Sequence, residues 1–78
     1  MPSRPTLYVR HGCHLCDDAS VLLDDMLGTD GWDAVDIATD DRLLLRYAHR
    51  IPVLALDGED RLELVITRPD LEEVIGGR

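Results

Sequence analysis

Two cysteines, Cys13 and Cys16, are separated by two residues, and His11 and His14 lie beside Cys13 in the stretch "HGCHLC". A thiol pair with this spacing can form a reversible disulfide, and thiolate and imidazole groups are also ligands that zinc and copper prefer. The cysteines could instead pack only as small apolar side chains. In a reducing compartment, where structural disulfides are rare, the C-x-x-C spacing favours catalytic or metal-binding chemistry over a structural bridge.

The cysteines lie where a helix is predicted to begin. From about His14 the apolar residues recur with helical spacing, and Gly28 ends the pattern; they are Leu15, Ala19, Leu22, Leu23 and Met26. Free backbone N–H groups and the positive end of the helix dipole stabilise a thiolate at such a position, which lowers the pKa of a thiol. We expect Cys13 to be the exposed cysteine. Cys16, one turn into the helix, is expected to be shielded, so that it attacks only a neighbouring sulfur, as a resolving thiol does.

Charged neighbours are expected to tune this pair. Arg10, His11 and His14, when protonated, add positive charge that favours a thiolate. Asp17 and Asp18 partly cancel that charge. The pattern therefore predicts a moderate lowering of the thiol pKa at Cys13.

The rest of the chain alternates between strand and helix patterns. Strands are predicted over residues 6–10, 32–37, 52–56 and 61–67. The first helix is predicted to begin at about residue 14. The second is predicted to run from a cap at Thr39 or Asp40 through Ile51, and the third to cover 69–75 and end at Gly76 and Gly77. The order βαβαββα predicts an α/β fold with a four-stranded mixed sheet and three helices, in one domain over residues 1–78. A C-x-x-C pair between the first strand and the first helix is typical of the smallest thioredoxin-like folds.

The sequence resembles glutaredoxins, in particular small glutaredoxin-like proteins whose active site reads C-H-L-C. The resemblance covers nearly the whole chain, and its most specific parts are the stretch from Cys13 to Cys16 and the pair Ile51-Pro52. It implies a thiol–disulfide oxidoreductase with a part in cell redox homeostasis. Cys13 would be the nucleophile, Cys16 would resolve the mixed disulfide, and Pro52 would be cis and stacked against the cysteines.

Three departures from the usual glutaredoxin pattern bear on the substrate. His14 replaces a proline, Arg10 stands where a lysine is usual, and Ile66-Thr67 occupies the place of a Gly-Gly pair that helps to hold glutathione. The resemblance implies that Arg10, Ile51 and Asp70 would contact glutathione. We expect glutathione to bind weakly, as a co-substrate at most, and a thioredoxin and thioredoxin reductase system to supply electrons.

A basic stripe on the second predicted helix is a further candidate for substrate binding. Arg42, Arg46 and Arg50 recur every four residues, and the stripe runs toward Pro52. Arg46 and Arg50 are predicted to contact either a carboxylate of a thiol substrate or an acidic surface of a partner.

Charge and hydropathy restrict the other function classes. The chain has 16 acidic and 8 basic residues, for a net charge of −8, which disfavours nucleic acid and anionic membranes as partners. No apolar run approaches the length of a membrane span or a signal peptide. We expect a cytoplasmic monomer.

Two alternatives stay open. Cys13 and Cys16 with His11 and His14 could form a zinc set, or act in a metallochaperone, although adjacent Cys13 and His14 are awkward partners on one tetrahedral centre. Copper chaperones with a ferredoxin-like fold would also end in a strand, whereas this chain ends in a predicted helix. The second alternative is a thioredoxin-like adaptor with a vestigial redox site. We assign no metal and no bound cofactor.

Overall fold

A computed structural model describes residues 4–75, and the elements follow in the predicted order. They are β1 (Thr6–Val9), α1 (His14–Leu27), β2 (Asp33–Asp36), α2 (Asp41–Tyr47), β3 (Val53–Leu56), β4 (Glu59–Glu63) and α3 (Arg68–Val74), with a 3₁₀ turn at Ile37–Thr39 between β2 and α2. The predicted α/β fold, with three helices and a four-stranded mixed sheet, is therefore confirmed. Gly76 and Gly77, predicted to end the last helix, lie outside the described residues. Over 4–75, no helix is long and apolar enough to cross a membrane.

The sheet has the strand order β2-β1-β3-β4. β1 runs parallel to β2 and antiparallel to β3, and β3 and β4 form the predicted hairpin. All four residues of β3 are buried, which explains its continuous apolar sequence. The parallel pair brings the carboxyl ends of β1 and β2 to the same edge of the sheet, beside the cysteine loop.

Helices cover both faces of this sheet. On one face, Leu7 and Leu54 pack with Leu23 of α1 and Leu71 of α3. On the other face, Val53 packs with Tyr47 of α2, while Tyr8 lies against them. Neighbouring strand residues point to opposite faces of the sheet. Leu7 and Leu54 therefore pack on one face, and Tyr8 and Val53 pack on the other.

The second helix ends earlier than the sequence pattern predicts. It was expected to continue to Ile51, but α2 ends at Tyr47, and the N–H of Arg50 donates to the carbonyl of Tyr47 at 2.8 Å in a tight turn. The helical conformation is disfavoured for a residue that precedes proline, so Ile51 cannot extend the helix into Pro52. The predicted stripe of three arginines on one helix is consequently wrong at Arg50, which lies in the turn.

The predicted boundaries of the second and fourth strands are also wrong. β2 excludes Trp32, whose indole Nε1 donates to Asp24 at 2.8 Å, and ends before the 3₁₀ turn. The hairpin between β3 and β4 turns over two residues, Asp57 and Gly58, and β4 starts at Glu59 rather than at residue 61. Both turn residues have positive φ, 56° and 79°, as a type I′ hairpin requires.

β4 ends at Glu63 because Leu64 adopts a φ of +65°. In this segment positive φ therefore occurs at Leu64 and not at Ile66-Thr67, which occupies the place of the Gly-Gly pair. Ile66 is buried in the core, and Thr67 caps α3.

Candidate active site

A tight loop between β1 and α1 positions the two cysteines. Gly12 has a φ of +81°, a conformation that glycine adopts without strain. Cys13 is the N-cap of α1, and its carbonyl accepts the N–H of Asp17 at 3.1 Å. The helix begins at His14, as predicted, so the first turn of α1 points its free N–H groups at this loop.

The sulfur of Cys13 takes the part that a serine or aspartate oxygen usually plays at a helix N-cap. The backbone N–H of Cys16 donates to Cys13 Sγ at 3.1 Å. A disulfide joins Cys13 and Cys16, whose Cα atoms are 5.2 Å apart. Cys13 is half-buried, whereas Cys16 is only 2% exposed. The two sulfurs of the pair thus differ in their access to solvent.

The three residues predicted to tune the pair are exposed. Arg10 and His11 lie in the loop before Cys13, and His14 is the first residue of α1. Within residues 4–75, none of these three side chains makes a hydrogen bond or an ion pair. A positive charge on any of them is therefore not held in an ion pair.

A surface cleft of about 420 Å³ opens beside this loop. Its wall includes Cys16 and several polar or charged residues: Arg10, His11, Asp17, Ser20 and Asp36. The Ser20 hydroxyl donates to the carbonyl of Cys16 at 2.8 Å. The Asp36 carboxylate accepts the N–H of Ala38 at 2.9 Å.

Sequence reasoning missed Ser20 and Asp36. Asp36 pairs with Val9 at the carboxyl ends of the parallel strands β2 and β1. The signal that could have located it was this register, because residues at the ends of neighbouring parallel strands share one edge of the sheet. Ser20 lies one helical turn after Cys16, a spacing that also places two residues on one face.

The loop that contains Ile51 and Pro52 is fixed to the segment after β4. The Ile51–Pro52 peptide bond is cis, as the resemblance implied. The N–H of Leu64 donates to the carbonyls of both Pro52, at 2.9 Å, and Arg50, at 3.2 Å. Pro52 is buried and Ile51 is half-buried. The predicted stacking of Pro52 on the cysteines stays a prediction.

Arg50 and Asp70, both predicted to bind substrate, are engaged within the fold. The Arg50 guanidinium contacts Glu63 at 2.9 Å and Asp60 at 3.2 Å, and the hydrogen bond to Glu63 is the main cause that raises the pKa of Arg50. The Asp70 carboxylate accepts the Thr67 hydroxyl at 2.8 Å and the Thr67 N–H at 3.3 Å in a capping box at the start of α3.

Arg46 and Tyr47 complete this side of the molecule. The Arg46 guanidinium lies 5.4 Å from the centre of the Tyr47 ring and is exposed. Tyr47 is buried, stacks on Tyr8 with ring centres 4.5 Å apart, and donates its hydroxyl to Asp60 at 2.9 Å. Burial and this hydrogen bond to Asp60 raise the pKa of Tyr47. Tyr47 is thus a packing residue of the core on this face of the sheet.

The metal alternative gains no geometric support. Across the described range 4–75, no three His, Cys, Asp or Glu side chains come together in a group that could hold a metal ion. The assignment of Cys13 and Cys16 with histidines as ligands stays a prediction.

A family model for the Glutaredoxin-like domain (DUF836) matches residues 4–76. The chain belongs to the glutaredoxin-like domain family. No curated protein matches the sequence.

Solved structures support the same fold for this glutaredoxin-like chain. It is similar to the X-ray structure of target protein XcR50 from X. campestris, with 32% identity, a TM-score of 0.79, and coverage of 95% of this chain and 97% of that chain. It is also similar to the solution NMR structure of Ne2328 from Nitrosomonas europaea, with 26% identity, a TM-score of 0.70, and coverage of 99% and 91% respectively.

A mutant thioredoxin from Halobacterium salinarum NRC-1 shares only 20% identity, with a TM-score of 0.63 and coverage of 96% of this chain and 73% of that chain. That likeness establishes the thioredoxin fold and nothing beyond it. The expected thioredoxin-like, glutaredoxin-like fold is thus confirmed.

Proposed function

We propose that this glutaredoxin-like protein is a thiol–disulfide oxidoreductase in which Cys13 attacks and Cys16 resolves. The observation that carries the proposal is the hydrogen bond of 3.1 Å from the Cys16 N–H to Cys13 Sγ at the start of α1. In the reduced protein the same N–H would stabilise a thiolate, because hydrogen bonds to a charged acceptor are stronger than those to a neutral one. The half-buried position of Cys13 and the burial of Cys16 support the division of roles.

The proposed reaction has two exchange steps. The Cys13 thiolate attacks one sulfur of a substrate disulfide, the substrate S–S bond breaks, and the first substrate thiolate leaves and takes up a proton. The Cys16 thiolate then attacks Cys13 Sγ, which breaks the mixed disulfide and releases the second substrate thiolate. The substrate gains two electrons, and the protein is left with the Cys13–Cys16 disulfide. An external dithiol reductant returns the pair to the reduced state.

Arg10, His11 and His14 are proposed to favour the reduced state. Each is exposed and without a side-chain partner in residues 4–75, so a positive charge on any of them acts on the cysteines without an ion pair to neutralise it. The effect is strongest where imidazole is protonated. The proposed physiological partner is a disulfide-containing protein or a small thiol. The glutaredoxin-like protein itself is proposed to act as a monomer in the cytoplasm.

We propose a thioredoxin-type system as the reductant, with glutathione as a weak co-substrate only. Arg50 was predicted to bind a substrate carboxylate, and Asp70 was predicted to contact glutathione. Both side chains already have partners within the fold. The net charge of −8 further disfavours an anionic tripeptide. Arg10, Arg46 and Ile51 are the candidates that still have exposed surface. We expect a dissociation constant for glutathione in the millimolar range, which corresponds to about −4 kcal/mol.

Turnover with a generic disulfide tests the proposed function. Catalytic amounts of the protein, a small-molecule disulfide and NADPH are combined with thioredoxin and its reductase, or with glutathione and its reductase, at matched rates of electron supply. We expect turnover that requires Cys13 and is faster with thioredoxin. The substitution His49→Gln, at an exposed histidine beyond α2, is the matched control.

The outcomes separate the alternatives. Saturable turnover at micromolar glutathione would overturn the preferred reductant and keep the oxidoreductase. No turnover in either system would support an adaptor. Stoichiometric zinc or copper, retained by protein that is purified under reducing conditions, would support a metal-binding module instead.

A further inference from the structure

The burial of Cys16 creates a chemical requirement that the proposed function leaves unmet. Cys16 must be a thiolate when it attacks the mixed disulfide at Cys13, because a thiol is a poor nucleophile. Yet Cys16 is only 2% exposed, and an apolar environment disfavours the charged form of a thiol. Burial therefore makes the loss of this proton unfavourable. A proton acceptor within reach of Cys16 would remove this obstacle.

The cleft beside the loop is the route by which a base could reach Cys16. Cys16 forms part of its wall, together with the titratable residues His11, Asp17 and Asp36 and the cation Arg10. A water molecule occupies about 30 Å³ in the liquid, so the volume of about 420 Å³ has room for several. The cleft thus joins the second cysteine to groups that can exchange protons.

Of the three titratable residues, the two aspartates are the weaker candidates. The Asp36 carboxylate already accepts the N–H of Ala38 at 2.9 Å. Asp17 directly follows Cys16 on α1, and adjacent residues on a helix point in directions that differ by about 100°. A carboxylate is also poorly matched to a thiol, because aspartic acids ordinarily have a pKa of about 3.9 and thiols about 8.5.

An imidazole is the better match, since its ordinary pKa of about 6.5 lies closer to that of a thiol and to neutral pH. His11 is in the cleft wall, and both of its ring nitrogens are without a protein partner in the described range 4–75. We propose that His11 accepts the proton of Cys16 through cleft water as Cys16 attacks the mixed disulfide. This inference rests on the proposed function.

The step balances as follows. The Cys16 thiol gives its proton to a cleft water, which passes a proton to His11. The Cys16 sulfur forms a bond to Cys13 Sγ, and the bond between Cys13 and the substrate sulfur breaks. The substrate thiolate leaves with the electron pair and is protonated by solvent, and His11 later returns its proton to solvent. In the first exchange, in which Cys13 is the nucleophile, His11 accepts no proton, and any effect of its exposed charge on that exchange is small because solvent screens it.

A single-turnover reaction with 5,5′-dithiobis(2-nitrobenzoate) separates the two exchanges. Reduced protein is mixed with one equivalent of the reagent, and each exchange releases one coloured thiolate. For His11→Gln we expect the first release to keep its rate within twofold and the second to slow at least tenfold at pH 7. Added imidazole, which is small enough for the cleft, should restore at least half of the lost rate.

His49→Gln and Asp17→Asn are the comparison variants. The first removes an exposed histidine outside the cleft and should keep the second release within twofold of the wild type. The second removes the rival cleft carboxylate and should slow the second release less than His11→Gln does. A second release that is unchanged in His11→Gln would overturn the proposal, as would a tenfold slowing in Asp17→Asn alone. Equal slowing of both releases without rescue by imidazole would also overturn it, because it would indicate a distorted loop. If the wild type releases no second thiolate, the proposed function itself fails.

Discussion

The reactivity of the two thiols toward iodoacetamide should differ strongly in the reduced, folded protein. Only Cys13 accepts a helix N-terminal hydrogen bond, at 3.1 Å from the N–H of Cys16. A hydrogen bond to a charged group contributes about 1.5–3 kcal/mol, and each 1.4 kcal/mol changes an equilibrium tenfold. The ratio of thiolate to thiol at Cys13 should therefore exceed that of an ordinary thiol by roughly ten- to a hundredfold. Burial of Cys16 acts in the opposite direction and also blocks the reagent.

The assay is alkylation at pH 6–8 with the modified residue identified by mass spectrometry. We expect Cys13 to react at least tenfold faster than Cys16 at pH 7. The same chain unfolded in guanidinium chloride is the matched control, because both cysteines then lose the helix and the shielding, and their rates should converge. Equal rates in the folded protein, or faster modification of Cys16, would refute the assignment of roles. A difference that persists in the unfolded chain would show that local sequence, rather than the helix start, causes it.

Three further perturbations test other parts of the account. His14→Pro should lower the reduction potential in redox titrations, because a positive charge on His14 stabilises the thiolate and hence the reduced state. An unchanged or higher potential would contradict this role. Arg50→Gln removes the contacts with Glu63 and Asp60 that hold the loop before Pro52, and should raise the KM for a protein disulfide several-fold at an unchanged potential. Arg61→Gln, at an exposed arginine of β4, should leave the KM unchanged. An unchanged KM in Arg50→Gln would show that the loop needs no such anchor. Leu71→Ala should cost about 2–5 kcal/mol in urea unfolding, because Leu71 is fully buried, whereas a loss below 1 kcal/mol would mean that α3 contributes little to the core.

The sequence predicted the elements well where local signals and packing agree. Helix α1 starts and ends as expected because its apolar stripe, the N-cap position of Cys13 and the stop at Gly28 all indicate the same span. The fully apolar stretch of β3 likewise indicated a strand covered on both sides. The capping role of Asp40 was readable from its place before α2.

The misplaced boundaries have local causes that the apolar pattern does not reveal. Ile51 has the helical spacing of a core residue, but its place before Pro52 excludes it from α2. Leu64 has the alternation of a strand residue, yet it takes a positive φ and ends β4. The two residues belong to segments that are hydrogen-bonded to each other, because the N–H of Leu64 donates to the carbonyl of Pro52, the residue after Ile51.

The candidate site was only partly predictable for a related reason. Cys13, Cys16, Arg10, His11 and His14 are close in sequence, so their proximity in space follows from the chain itself. The engagement of Arg50 with Glu63 depends on how the turn after α2 lies against β4, which no local pattern specifies. The contribution of Asp36 to the cleft depends on the register of β2 against β1. Long-range pairing of this kind had to come from the structure.

Trapping of the mixed disulfide shows which cysteine attacks the substrate and which one resolves it. Reduced Cys16→Ser and Cys13→Ser variants are each mixed with an excess of a protein disulfide, and covalent adducts are located by mass spectrometry without reductant. If Cys13 attacks and Cys16 resolves, we expect a stable adduct on Cys13 of Cys16→Ser and little adduct with Cys13→Ser. The wild type should form only a transient adduct, because its Cys16 releases the substrate. Comparable adducts in the two variants, or an adduct mainly on Cys16, would contradict these roles.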